Sequence, residues 1–253
     1  MRLAVTEAGA GPPVVLLHGL LGAAQNFGTI QKALAARWRV LALDLRNHGN
    51  SPHAAGMTYP EMAADVAETL RDAGAWPASV IGHSMGGKVA MALALAEPEG
   101  VARLLVADIA PVPYRAAAFR TYVAAMQAIA LRPGLTRREA DAALAPAVAA
   151  PALRGFLLQN LLFTENPPRW RIGLEQIAAG MDDIADWRDP PGRYGGPVLV
   201  LSGDRSDYVR PEHHALFRRL FPAVQFRTMP AGHWLHADNP QGFLTEAMAF
   251  LEA

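Results

Sequence analysis

The chain has 253 residues, 51% of them hydrophobic, and its 23 lysines and arginines balance 23 aspartates and glutamates. That length and composition suit one large α/β domain with a full core. A balanced charge with no block of like sign excludes an electrostatic nucleic-acid footprint, and the lack of cysteine excludes disulfides, thiolate metal sites and a cysteine nucleophile.

The first apolar run, Val14 to Leu17, is too short for a signal-peptide core or a membrane span, so a cytoplasmic setting is expected. Further short runs follow at Val40 to Leu43, Ser79 to Ile81, Leu104 to Ala107, Val198 to Leu201 and Val224 to Arg227. Amphipathic stretches lie between them. From Tyr59 to Ala73, for example, Met62, Val66, Thr69 and Leu70 share one helical face. Fully apolar strands alternating with helices predict a mostly parallel sheet covered on both faces. Ligands bind such sheets at the carboxyl ends of the strands. The residues to read most closely are therefore His18-Gly19, Asp44, Ser84, Asp108 and Gly203-Asp204.

The alternation stops between Ala110 and Asp189, too long a stretch to be structureless. Phe119, Tyr122, Met126 and Ile129 line one face of a first helix, ended by Pro133-Gly134. Thr136 with Glu139 is a capping-box start. A third helix is expected to carry Leu153, Phe156, Leu157 and Leu161, and a fourth to start after Pro167-Pro168 with Trp170, Leu174 and Ile177. The organisation expected is a core of residues 1–110 and 191–253 with a helical cap inserted at 111–190. Aromatic residues of that insertion, if they face the strand ends, favour an apolar acyl chain.

Gly82-His-Ser-Met-Gly-Gly87 lies between an apolar strand and a helix-forming run, the pattern of a nucleophile elbow. Its glycines permit a sharp turn that exposes the Ser84 hydroxyl above a helix amino terminus. A serine needs a base, and imidazole has the right pKa. In this strand-turn-helix class the histidine follows serine and acid in the chain, which sets aside His18, His48, His53 and His83. His213 and His214 sit in a polar helical run and read as surface residues. His233, on the loop before the terminal helix near Pro240, is the expected base. His236 is its rival, with packing the better role.

Asp108 ends the strand next in sequence to the one bearing Ser84, and neighbouring strands lie about 4.8 Å apart. Asp204 and Asp207 follow a later strand and can also reach, so spacing leaves the acid open. For the oxyanion, the N–H of Met85 and one from His18-Gly-Leu-Leu-Gly22 are expected, with Leu20 the second donor. No cofactor or metal is implied.

These residues together resemble the α/β-hydrolase superfamily over nearly the whole chain. The features that carry the likeness are His18-Gly19, Asp44-Leu-Arg-Asn-His-Gly49 with Ser51-Pro52, the Ser84 elbow, Asp108-Ile-Ala-Pro-Val112 with Tyr114, Ser206 with Tyr208-Val209, and His233-Trp-Leu-His236. Within the superfamily the chain is most similar to small YbfF-type bacterial esterases and their mitochondrial relatives. Many superfamily members place the acid in a Gly-Asp-x-Asp pattern, but here Gly203-Asp204-Arg205 leads to Ser206. The resemblance implies that Asp108 is the acid, Ser206 an accessory partner, and Asp44 and Arg46 loop-holding groups. It also implies a serine carboxylesterase or thioesterase that hydrolyses short- to medium-chain acyl esters or thioesters through an acyl-enzyme on Ser84. Carbon–carbon bond hydrolysis, perhydrolysis with the same residues, or a ligand-binding receptor with vestigial turnover stand as alternatives.

Overall fold

The computed structural model describes residues 1–188 and 191–253. Its strands and helices follow in chain order: β1 (Val5–Ala8), β2 (Pro13–Leu17), α1 (Gly28–Leu34), β3 (Arg39–Leu43), α2 (Tyr59–Asp72), β4 (Ala78–His83), α3 (Met85–Ala96) and β5 (Val101–Ala107). Then come α4 (Ala117–Gln127), α5 (Arg137–Leu144), α6 (Pro151–Leu158), β6 (Leu161–Leu162), β7 (Arg169–Trp170), α7 (Leu174–Ala179) and α8 (Met181–Ala185). The chain returns through β8 (Val198–Gly203), α9 (His214–Leu220), β9 (Val224–Met229), α10 (Leu235–Asp238) and α11 (Pro240–Glu252).

Seven strands form one sheet in the order β1-β3-β2-β4-β5-β8-β9. β1 runs antiparallel to β3 and the other pairings are parallel. The six apolar runs read from the sequence are the six parallel strands. β1 has no apolar run to announce it, because its four residues lie mostly exposed at the sheet edge. Within the strands, alternate residues feed two cores. Val15, Leu17, Val80, Leu104 and Val106 pack with α2, α3 and α9. Val14, Leu16, Ile81, Leu105 and Leu199 pack with α1 and α11 on the other face.

The chain leaves β2 toward β3 on one side and reaches β4 on the other, so the order reverses between β2 and β4. That reversal opens a crevice at the carboxyl ends of the strands. β4 and β5 pair with a bulge near their start, where Ala78 faces Val101 but Ser79 faces Arg103. Beyond it the register is regular and brings His83 level with Ala107.

Local signals set the helix starts. Thr58 caps α2 and Thr136 caps α5, each with a capping box to the glutamate three residues on. Asn239 caps α11, with Pro240 in its first turn. Between β5 and β8 two sequence expectations need correction. The third helix stops at Leu158, and Leu161 instead opens a short hairpin with β7, which also takes Trp170 out of the expected fourth helix. The turning point is Asn160: its buried amide donates to the Leu21 carbonyl (2.8 Å) and its own carbonyl accepts from Arg171 N (2.8 Å). A tertiary tie to the loop after β2 overrides the helical pattern. The expected closing boundary of the insertion, at Asp189 and Pro190, lies outside the described residues.

Candidate active site

Ser84 occupies the turn between β4 and α3 with φ 53° and ψ −120°, a left-handed conformation that costs a non-glycine residue energy and must be held by its surroundings. Two glycines allow it. A Cβ on Gly82 would sit 2.3 Å from the Gly86 carbonyl oxygen, and one on Gly86 would sit 2.3 Å from the Leu17 carbonyl oxygen. Asp108, level with it at the end of β5, is also left-handed (φ 52°). Ser84 N bonds to the Ala107 carbonyl (3.0 Å) and Asp108 N to the Leu201 carbonyl (2.9 Å), so the ladder continues through both turns.

His233, on the loop between β9 and α10, spans the gap. Its Nε2 lies 3.1 Å from Ser84 Oγ and its Nδ1 lies 2.7 Å from Asp108 Oδ2. Asp108 is fully buried. Its Oδ2 also accepts from Ser206 Oγ, and its Oδ1 accepts from Gly203 N (3.1 Å). Asp204 is directed elsewhere: Oδ1 accepts from Ala231 N (3.0 Å) and from Arg205. Asp207 is exposed, and its main-chain carbonyl accepts from Arg210 Nε (3.1 Å). The structure therefore brings Ser84, His233, Asp108 and Ser206 together and leaves Asp204 and Asp207 outside. The N–H groups of Leu20 and Met85 are engaged by no other group among the described residues. Gly19 lets the Leu20 loop come close, since a Cβ there would lie 3.3 Å from Ser84 Cβ.

No sequence pattern signals what holds His233 in place. The His83 Nε2–H donates to the His233 carbonyl (2.8 Å), and the Tyr208 ring stacks on the His233 imidazole with centroids 3.9 Å apart. Burial, reinforced by His236 and His233, pushes the pKa of His83 well below that of a free imidazole, so it stays neutral. His236 is buried and stacks on Phe27 (4.5 Å). His214 stacks on Phe226 (3.9 Å). Asp44 accepts from Ala24 N and Asn50 N (2.7 and 2.8 Å), and Arg46 forms a buried ion pair with Asp65.

His18 and His48 brace the loop that carries Leu20. His48 Nε2 accepts from Leu21 N (3.1 Å) and its Nδ1–H donates to the Arg46 carbonyl (2.8 Å), while His18 Nε2 accepts from Leu45 N (3.0 Å) and its Nδ1–H donates to the Gly19 carbonyl (2.8 Å). Both rings must be neutral to do this. Burial pulls His18 down to about 4, and burial with the neighbouring His18 pulls His48 down to about 3. An unfolded imidazole titrates near pH 6.5. Between those values the unfolded chain binds more protons, so stability is full above about pH 6.5 and is lost as the pH falls toward 4. At about pH 4.5 each ring should cost roughly 3 kcal/mol. The urea midpoint is expected to drop between pH 7 and 4.5, and to drop less in His48→Gln, which has no proton to take up. Equal drops in both proteins would show that His48 titrates normally in the fold.

Two cavities flank Ser84. One is largely apolar, lined by Phe119, Leu153, Phe156, Leu157 and Trp234 together with His233. The other is lined by Leu20, Met85, Lys88, Tyr59, Tyr114 and Tyr208. Of the aromatic residues expected near the site, Phe119 and Phe156 reach it, whereas Tyr122, Phe163 and Trp170 pack against the core instead. Among the described residues no group of three or more His, Asp or Glu is placed to hold a metal ion. No described helix is long and apolar enough to cross a membrane.

Comparison with known proteins places this geometry in a family. The alpha/beta hydrolase family model matches residues 14–247. The chain is 41% identical over 248 residues to the sn-1-specific diacylglycerol lipase ABHD11 of Mus musculus, covering 95% of this chain and 81% of that protein. It is 32% identical over 240 residues to Esterase YbfF of Escherichia coli, covering 94% and 92%. Among solved structures, one titled "Marine microorganism esterase" superposes with a TM-score of 0.95 at 35% identity, covering 98% of this chain and 99% of that one. The chain belongs to the alpha/beta hydrolase family.

Proposed function

We propose that the protein is a cofactor-independent serine hydrolase that cleaves short- to medium-chain acyl esters or thioesters through an acyl-enzyme on Ser84. The observation that carries this reading is the unbroken relay from Ser84 Oγ to His233 (3.1 Å) and from His233 to Asp108 (2.7 Å). Relatives named as an esterase and a lipase support ester bonds as the target.

In the first half-reaction Ser84 Oγ attacks the carbonyl carbon and its proton passes to His233 Nε2. The Asp108 carboxylate fixes the tautomer, with the proton on Nδ1, and stabilises the imidazolium that forms. Negative charge gathers on the carbonyl oxygen, where the Leu20 and Met85 N–H groups and the amino end of α3 meet it. Collapse breaks the bond to the alcohol or thiol, which leaves with the proton from Nε2. Water then repeats the sequence and frees the acid and Ser84. Residues 111–190 act as a cap that keeps bulk water off the intermediate.

A fluorophosphonate added at neutral pH is expected to label Ser84 stoichiometrically, read by peptide mass spectrometry, and to abolish hydrolysis of p-nitrophenyl esters. No adduct on Ser84, with no ester turned over, would overturn the reading in favour of a binding protein.

A further inference from the structure

We propose that Lys88 forms a carboxylate-binding subsite, so that the preferred substrates are short half-esters whose acyl group ends in a second, ionised carboxyl. This rests on the esterase reading and names its substrate class. Lys88 lies one turn into α3, four residues after Ser84, and lines the same cavity as that serine. It is almost fully buried, at 2% exposure. Nζ donates to the Asp186 carbonyl (3.0 Å) and sits 5.1 Å and 5.0 Å from the ring centroids of Tyr59 and Tyr114. An ammonium has three protons to donate, and among the described residues one of them has a hydrogen-bond acceptor.

Among the described residues the group has no direct ion pair, although the charge of the nearby Asp186 carboxylate acts on it. The Asp186 carboxylate is turned toward Trp187 N (2.8 Å) and Arg188 (3.2 Å), and no carboxylate among the described residues forms an ion pair with Lys88. A buried cation without a direct partner is costly, and desolvation, only partly offset by the Asp186 charge, brings the Lys88 pKa down to about 7. If the position served packing alone, methionine or leucine would fill it without that cost. Lys88 instead lines the same cavity as Ser84, Leu20 and Met85. An incoming carboxylate would supply the direct ion pair that Asp186 does not make and accept the spare protons.

Proton transfer decides which end of the substrate enters. The leaving oxygen takes its proton from His233, and His233 lines the apolar cavity and not the one with Lys88. The leaving group therefore occupies the apolar side and the acyl chain lies toward Lys88. That second cavity is the smaller of the two, about 50 Å³ against about 110 Å³, which favours short acyl groups such as those of succinate and glutarate.

The test compares kcat/KM, from methanol release, for monomethyl succinate and monomethyl glutarate with their neutral isosteres methyl 4-methylpentanoate and methyl 5-methylhexanoate. The wild type is expected to prefer the half-esters by about tenfold or more, the size of a charge-assisted hydrogen bond in a closed site. In Lys88→Met that ratio should fall to about one or below, whatever the absolute rates, and Lys88→Arg should recover part of it. No preference in the wild type, or the same preference in Lys88→Met, would reduce Lys88 to a brace for the Asp186 carbonyl and overturn the proposal. Should Lys88→Met not fold, the wild type decides: glutarate must inhibit p-nitrophenyl acetate hydrolysis more strongly than 5-methylhexanoate, and equal inhibition overturns the subsite. Hydrolysis of p-nitrophenyl acetate without half-ester preference removes only this inference. Failure on every ester removes the esterase reading and this one with it.

Discussion

Ser84→Ala is expected to lower kcat for a p-nitrophenyl ester by roughly four to six orders of magnitude while leaving the fold intact. The loss is large because, among the described residues, Ser84 supplies the hydroxyl that meets His233 Nε2 beside the Leu20 and Met85 N–H groups. Folding should survive because alanine meets the same left-handed turn as serine and the Ser84 side chain makes no helix-capping bond. A residual rate above that in water should remain, supplied by the Leu20 and Met85 N–H groups acting on a water molecule. His233→Ala should cost a similar factor, and the double variant little more than either, because the two groups act as one unit. Steady-state rates beside melting curves check all three. Near-normal ester cleavage by folded Ser84→Ala would end the acyl-enzyme mechanism.

Asp108→Asn should give the next largest loss, about 10⁴-fold in kcat, the scale seen when a triad acid becomes an amide. The reason is the donor count around the carboxylate. Oδ1 receives the Gly203 N–H, while Oδ2 receives both His233 Nδ1–H and Ser206 Oγ–H. Asparagine can keep its oxygen toward Gly203 only by turning its NH2 toward His233. The ring must then expose a lone pair at Nδ1 and carry its proton on Nε2, so it faces Ser84 as a donor and can no longer act as a base. Asp204→Asn and Asp207→Asn should cost far less, since neither carboxylate touches His233. A larger loss at either of those positions, in folded protein, would move the acid there.

Much of this arrangement is legible in the sequence because strand ends are. Apolar runs mark β2, β3, β4, β5, β8 and β9, and parallel-sheet logic then draws attention to Leu20, Ser84 and Asp108 just beyond them. His233 follows from chain order. The choice among Asp108, Asp204 and Asp207 depends on which loop folds back over which strand, and no periodicity encodes that. The resemblance pointed to Asp108, and the hydrogen bonds bring it to His233. β1 was missed because an exposed edge strand needs no apolar pattern, and the β6–β7 hairpin because Asn160 bonds to the distant Leu21 carbonyl. Chain order removed His18, His48 and His83 as bases. It gave no hint that the same burial that keeps them neutral lets them hold Leu20 and His233 in place.

The bulge between β4 and β5 has a reach far beyond its own position. Had the strands continued one to one from Ala78 beside Val101, Ser84 would be level with Ala107, whose side chain points to the opposite side of the sheet. The single extra residue, Ala102, changes the phase of one strand against the other and sets Ser84 alongside Asp108. An alanine about 20 Å before Asp108 along β5, at the far end of the strand, thus decides which side chain of β5 stands beside the elbow serine.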